Sequence, residues 1–386
     1  MDELRTTMNE PVYLDHNGTT PVDAEVLEAM LPFFRRHFGN PSSATPLGRC
    51  ARDAIENARG QVAALIGADP REIIFTGGGT EASNHAIFGF AARAPAHRRR
   101  IVTSSVEHPA TDVPCQRLVE HGFQVRRLAV DRTGVVRLDQ ALAAIDADTA
   151  LVTIIHAQNE VGTIQPVAEL VDAARRHGVP IHVDAAQSVG KLPIDVKALG
   201  VDALTLAGHK LYAPKGVGAL YLRREHDLPS LLGGAGQEAG RRPGTENVPY
   251  IVGLGQACTI AQRWLAAEPE RLAVLREHLW ERLAAGVGGL IRVGAGAPCL
   301  PNTLNVLFPR IDGGRLLAAT PEVAASTGSA CHAGQARPSS VLLALGYAPD
   351  LAMGAVRLSL GRATTEADAD RAAAALVSSW KALSSA

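Results

Sequence analysis

Lys210 closes the stretch Ala207-Gly208-His209-Lys210, directly behind the apolar run Val201 to Leu206. An amine set at a strand end can form a Schiff base with an aldehyde if burial or nearby cations keep part of it neutral. An isolated Gly-His-Lys is more often a surface lysine, so a second stretch has to change that reading. It is His182-Val183-Asp184-Ala185-Ala186-Gln187, where Asp184 ends the apolar run Ile181 to Val183. A third, Thr76-Gly77-Gly78-Gly79-Thr80-Glu81, falls between an expected strand at 72–75 and an expected helix at 80–91. Its glycines let the backbone approach an anion, and the helix N-terminus offers free N–H groups. The spacing is not that of a nucleotide P-loop. A lysine for an aldehyde, an acid against a pyridinium nitrogen and a phosphate cradle are what a pyridoxal phosphate (PLP) site needs.

Other residues could serve such a site. His108, in Glu107-His108 beyond the expected strand 101–103, could stack on a ring or shuttle a proton, although a lone histidine there is more often structural. Asn159 follows the expected strand 151–155 and could bond a ring hydroxyl or a carboxylate. Gln187, three residues after Asp184, could reach the same hydroxyl. Arg357, placed at the start of a C-terminal strand, has the planar fork that suits a carboxylate. Cys331 sits in Ser326-Thr327-Gly328-Ser329-Ala330-Cys331-His332-Ala333-Gly334, a run of small residues expected to form a mobile loop. His332 and Arg337 could lower its pKa, and the thiolate is the nucleophile. The bland alternative is a buried cysteine in a turn.

These residues need a scaffold, and the periodicity supplies one. Helices are expected at 24–37, with Val26, Leu27, Met30, Leu31 and Phe34 on one face, and at 47–66, stopped by Gly67. Strands expected at 72–75, 101–103, 124–128, 151–155, 180–183, 202–206 and 217–222 alternate with helices at 80–91, 109–121, 138–145 and 166–177. That alternation predicts an α/β fold with a mainly parallel sheet flanked by helices. After about residue 250 a long helical region, 250–286, gives way to short strands near 302–308, 322–326 and 356–360, with helices near 313–319, 338–345 and 366–383. This predicts a smaller α+β domain packed on the first, with the site between them. The expected division is 15–258 for the large domain, and 1–14 with 259–386 for the small one carrying the Cys331 loop (326–337).

The 386 residues are 46% hydrophobic and carry a formal net charge of −1, which gives no reason to expect nucleic acid or an anionic membrane as partner. No signal peptide or long apolar span is evident, so the expectation is a soluble cytoplasmic protein. The five cysteines are scattered without a CxxC pair, and the 13 histidines show no ligand spacing, so neither disulfides nor a metal are expected.

In order along the chain, Tyr13-Leu14-Asp15-His16-Asn17-Gly18-Thr19-Thr20-Pro21, Gly39-Asn40-Pro41-Ser42-Ser43, Gly79-Thr80-Glu81, Glu107-His108, Asn159-Glu160, Asp184-Ala185-Ala186-Gln187-Ser188, Gly208-His209-Lys210, Arg242-Pro243-Gly244-Thr245, Gly328-Ser329-Ala330-Cys331 and Arg357-Leu358-Ser359-Leu360-Gly361-Arg362 form a specific set. The chain resembles the group I cysteine desulfurases, NifS/IscS-like members of the class-V aminotransferases, and the related selenocysteine lyases. The resemblance implies the PLP-dependent transferase fold type I (aspartate-aminotransferase-like), with a seven-stranded sheet. It implies that Lys210 carries PLP and moves the substrate Cα proton. Asp184 would pair with the ring nitrogen and His108 stack on the ring. Asn159 and Gln187 would sit near the ring hydroxyl, with Asn159 also able to meet the substrate. Gly79, Thr80 and His209 would bind the phosphate, and Thr245 the phosphate of the partner subunit in a homodimer. Arg357 would clamp the substrate carboxylate. Cys331 would take sulfur from L-cysteine as a persulfide and leave L-alanine.

The chain departs from the family pattern at Ala207, where a phosphate-binding hydroxyl is usual, at Gln158-Asn159 and at Glu81-Ala82-Ser83-Asn84. It ends soon after its last helix, without the longer tail that housekeeping members use to meet an iron–sulfur scaffold. The sulfur acceptor is thus left open among iron–sulfur cluster assembly, tRNA thiolation, DNA phosphorothioation and other thio-cofactor pathways. Release of selenium from L-selenocysteine is the alternative on the same scaffold. An aminotransferase, which needs no Cys331, and a non-catalytic binding protein are the others.

Overall fold

The computed structural model describes residues 10–328 and 337–384. Cys331 and His332 lie outside the described residues. The chain begins with β1 (Val12–Tyr13), α1 (Ala24–Arg35) and α2 (Pro46–Ile66). Then β2 (Ile73–Thr76), α3 (Gly79–Arg93), β3 (Arg100–Ser104), α4 (Pro109–Val119), β4 (Gln124–Leu128), α5 (Leu138–Ala144) and β5 (Thr149–Ile155) alternate. They are followed by α6 (Val167–Arg176), β6 (Ile181–Asp184), α7 (Val196–Leu199), β7 (Ala203–Ala207) and β8 (Gly218–Leu222). The C-terminal part holds α8 (Val248–Trp264), α9 (Glu268–Gly286), β9 (Ile291–Arg292), β10 (Thr303–Leu307), α10 (Gly313–Ala318) and β11 (Val323–Ala324). It closes with α11 (Ser340–Ala344), α12 (Pro349–Ala352), β12 (Ala355–Ser359) and α13 (Glu366–Ser384).

Seven strands form one sheet in the order β2-β8-β7-β6-β5-β3-β4. Only β8 runs against its neighbours; β7, β6, β5, β3 and β4 pair in parallel. Every residue of β5, β6, β7 and β8 is buried, as a sheet covered by helices on both faces requires. The edge strand β4 exposes Gln124, Arg126 and Arg127, a polar rim that discourages pairing with another chain. Because β3, β5, β6 and β7 share a direction, the turns that follow them open along one sheet edge. Ligands of open α/β sheets bind at that edge.

Local signals fix the helix ends. Thr45 caps α2, and Gly67 ends it at φ +70°, a conformation glycine reaches without a Cβ clash. α3 starts differently: Gly78, at φ +148°, supplies no side chain to cap its first N–H groups. Two sequence expectations need correction. The region 250–286 is two helices, because Pro269 has no N–H to continue the first and is suited to the first turn of the second. In α1, Val26 and Met30 are buried, but Leu27 and Phe34 are 48% and 53% exposed.

α8 packs along α1 and α2, placing Cys258 and Ala261 in the large core; the expected division at residue 258 therefore falls inside this helix. A second core joins Val12 and Leu14 to Leu279, Val306, Leu358 and Trp380, around the antiparallel strands β12-β10-β9. Among the described residues no helix is long and apolar enough to cross a membrane.

Candidate active site

The sheet edge opens into a cavity of about 490 Å³ whose walls include Gly79, Thr80, His108, Asn159, Asp184, Gln187, His209, Lys210 and Arg357. Each side chain is delivered by a short connection. Lys210 lies in the turn Gly208–Lys210 after β7, Asp184 is the last residue of β6, and His108 is the N-cap of α4. Gly79 and Thr80 open α3. Arg357 comes across from β12, where it stands mid-strand rather than at the start. Gly79, Thr80 and His209 also line a more open cavity of about 760 Å³ with Gly77, Glu81 and Lys215.

The Lys210 amine donates to the carbonyls of Asn17 (2.5 Å) and Gly18 (2.6 Å). Burial, then the Arg357 charge, push its pKa down to about 8, against the pull of Asp15 and Asp184. Burial raises the Asp184 pKa, opposed by an N–H from Ala186 at 3.0 Å and by the cationic side chains nearby. His108 Nδ1 accepts from the Ala110 N–H at 3.1 Å, which assigns the ring proton to Nε2. Burial and then Lys210 lower its pKa, with Asp184 pulling the other way. His209 is pushed down to about 4 by burial and the lysines around it, and its Nδ1 is 3.2 Å from the Thr19 hydroxyl. Beside His108, burial pushes Glu107 up to about 8; one of its oxygens takes the Ser104 hydroxyl at 2.5 Å and the Ile155 N–H at 3.1 Å.

Arg357 is held on two sides. One Nη donates to Asp15 at 2.6 Å and the other to the Asn159 carbonyl at 3.0 Å, while its buried Nε has no partner among the described residues. Asp15 is therefore a member of the site that no spacing argument singled out. Lys191 is another: its Nζ donates to Gln187 Oε1 at 2.8 Å. Asp15 lies in the Tyr13–Pro21 stretch and Lys191 follows Ser188 by three residues, so sequence signals existed, but neither carried a role.

The residues present suit a phosphorylated aldehyde. The uncapped α3 N-terminus offers N–H groups beside glycines, a lysine amine has its pKa lowered to about 8, and a buried carboxyl ends the neighbouring strand. Ala207 supplies no hydroxyl there; a Cβ added to Gly79 would lie 3.1 Å from the Ala207 methyl, so the two residues pack closely as they stand. Thr245 is not brought into this cavity. It lines a separate cleft with Phe38, Asn40 and Pro41. On either side of the undescribed segment, Ser326 and Gly328 line the main cavity, and Arg337 lines an adjoining one with His108 and Asn159.

The sheet order and the strand-end cavity are those of the fold type I, PLP-dependent transferases. A family model for aminotransferase class-V matches residues 12–372. The cysteine desulfurase IscS of Pectobacterium carotovorum is 44% identical over 94% of this chain and 91% of its own length. A solved NifS-like protein superposes with a TM-score of 0.89 at 37% identity, covering 97% of this chain and 100% of that one. A solved SspA in complex with cysteine has a TM-score of 0.80 at 38% identity, covering 90% and 98%. The chain belongs to the class-V aminotransferases and, among them, to the cysteine desulfurases.

Proposed function

We propose that this protein removes sulfur from L-cysteine, giving L-alanine and a persulfide on Cys331 for an acceptor protein, with PLP held through Lys210. The observation that carries the reading is one cavity where a lysine whose pKa is lowered to about 8, a buried strand-end carboxyl, a histidine and an arginine converge. PLP bound there supplies an electron sink that makes the substrate Cα proton acidic. Asp184 would keep the ring nitrogen protonated, and His108 would lie against the ring. Gly79, Thr80 and His209 would hold the phosphate, with Asn159 and Gln187 at the ring hydroxyl. Arg357 would take the substrate carboxylate on its fork. Lys210, with a pKa of about 8, can accept the Cα proton near neutral pH and return it.

The Cys331 thiolate then attacks the substrate sulfur. An S–S bond forms, the substrate C–S bond breaks, its electron pair returns to the substrate carbon skeleton, and protonation there yields alanine. A homodimer fits the reading. Thr245 lies away from the cavity of its own chain, in a cleft with Phe38, and both residues are exposed where a second copy could reach them.

The test compares wild type with Cys331→Ala. The variant is expected to keep the visible absorption of bound PLP and to lose alanine formation from L-cysteine without an added keto acid. Full activity of the variant would refute the nucleophile assignment. Borohydride reduction that leaves Lys210 unmodified would refute the anchor.

A further inference from the structure

Behind Gln187 lies a second lysine that the proposed chemistry does not use. The Lys191 side chain keeps some exposed surface, yet its amine sits deep in the protein and, among the described residues, forms no ion pair with a carboxylate. It donates instead to Gln187 Oε1 at 2.8 Å and to Asn17 Oδ1 at 3.3 Å. Gln187 Nε2 in turn donates to the Asn17 carbonyl at 2.9 Å, and that carbonyl also takes the Lys210 amine at 2.5 Å. The two amines are thus joined through one side-chain amide and one shared acceptor. Both line a cavity of about 30 Å³ with His16, Tyr212, Glu268 and Arg362, room for a water or two.

The network is tied down from the small domain. Asn302 donates to Asn17 Oδ1 at 3.1 Å, and the Asn17 amide donates to the Thr303 hydroxyl at 2.8 Å. A donor fixed at Gln187 Oε1 determines which end of that carboxamide faces Asn17, since the two ends differ only in donor and acceptor character. We propose that Lys191 is a positioning residue, holding Gln187 and Asn17 in the arrangement that sets the proton affinity of Lys210. The proposal rests on the reading of Lys210 as the cofactor lysine. Burial, Lys210 and Arg357 together push Lys191 itself down to about 7, so little of its charge remains at the Lys210 midpoint of about 8, and its hold on Gln187 and Asn17 is what acts on Lys210.

The experiment uses the full chain as wild type, Lys191→Met, Gln187→Ala and the double variant. In apo-protein, trace acetylation of Lys210 across pH 6–10, read by peptide mass spectrometry, reports the Lys210 midpoint without cofactor. The groups facing the pair are His16, Asp15, Asp184, His108, His209, Arg357, Glu268 and Arg362, and all stay unchanged. Lys191→Met is expected to lower the midpoint by about half a unit to one unit, a roughly three- to fivefold faster acetylation at pH 7, because the carbonyl that accepts from the Lys210 ammonium is no longer held in place. The double variant moves less than the sum of the singles, since both cut one chain of contacts. An unmoved midpoint in Lys191→Met, or full additivity, overturns the proposal. Lys191→Leu, which likewise removes the donor, carries the same comparison if the methionine variant fails to fold. Failure of wild type to develop any PLP band would instead refute the proposed function, and the acetylation result would stand.

Discussion

The reactivity of Lys210 is set by a pair of opposite charges, and removing them one at a time must move it in opposite directions. Burial and then Arg357 lower the amine, against the pull of Asp15 and Asp184, to a net value of about 8. Arg357 and Asp15 are themselves paired at 2.6 Å. Arg357→Gln deletes the positive charge and releases Asp15, so both consequences favour the protonated amine. Asp15→Asn leaves Arg357 uncompensated and favours the neutral one. A unit charge about 10 Å away at an effective dielectric near 20 is worth about 1.7 kcal/mol, a little over one pK unit. With a midpoint of about 8, about a quarter of Lys210 is neutral at pH 7.5. A one-unit rise leaves about 3% neutral, so Arg357→Gln apo-protein should acetylate at Lys210 about eightfold more slowly. A one-unit fall leaves about three quarters, so Asp15→Asn should react about threefold faster. The pH profile distinguishes this from a change in access, because both variants should reach the wild-type rate well above their midpoints. Shifts of the same sign, or an Arg357→Gln profile that coincides with wild type, would refute the electrostatic argument.

Two further outcomes follow from contacts elsewhere in the chain. Ala207→Ser restores a hydroxyl beside Gly79 and should tighten PLP binding severalfold, about 0.5–1.5 kcal/mol for one added hydrogen bond; fluorescence titration of apo-protein that finds equal or weaker binding would remove Gly79 from the phosphate cradle. Glu238→Ala takes from Arg59 the carboxylate that holds it at 2.7 and 2.8 Å in a buried pair and also takes the Phe75 N–H at 2.9 Å, leaving it the Ile73 carbonyl and the more exposed Glu56. The cost should be about 3–5 kcal/mol in denaturant unfolding, and a loss below about 1 kcal/mol would mean the pair is not desolvated as its burial implies.

Most of the large sheet and its site was readable because the signals are local. Asp184 and Lys210 stand where apolar runs stop, and an apolar run that stops at a polar residue is a strand reaching the sheet edge. Gly67 marked a helix end for a reason contained in one residue. What escaped depends on partners distant in sequence. The Asp15–Arg357 pair spans 342 residues, and the Lys191–Asn17 contact spans 174; no spacing rule reaches that far. The face of α1 misled for a different reason. Its apolar stripe lies on one face, yet Leu27 and Phe34 remain exposed on the single chain, and periodicity alone does not say what such a face packs against. Thr245 poses the same problem, since nothing in one chain shows what its cleft faces.

The unpaired Nε of Arg357 bears on which substrates the cavity can accept. Asp15 and the Asn159 carbonyl already occupy the two Nη groups. A ligand carboxylate that leaves Asp15 in place can approach the edge that carries the buried Nε, which has no partner among the described residues. Displacing Asp15 would strand a carboxylate beside Lys210. Taking the Nε edge satisfies a buried donor whose unmade bond costs about 1–3 kcal/mol, and leaves the Asp15 pair intact. A neutral amide in the same place could accept one bond there but would bring no charge to meet the guanidinium. The arrangement thus favours a free α-carboxylate over its amide, and Asp15 is what keeps Arg357 aligned for it. L-cysteine amide should bind much more weakly than L-cysteine to wild type, and Asp15→Asn should narrow that preference by loosening the guanidinium. An unchanged preference in Asp15→Asn, measured as the ratio of the two dissociation constants, would count against this alignment role.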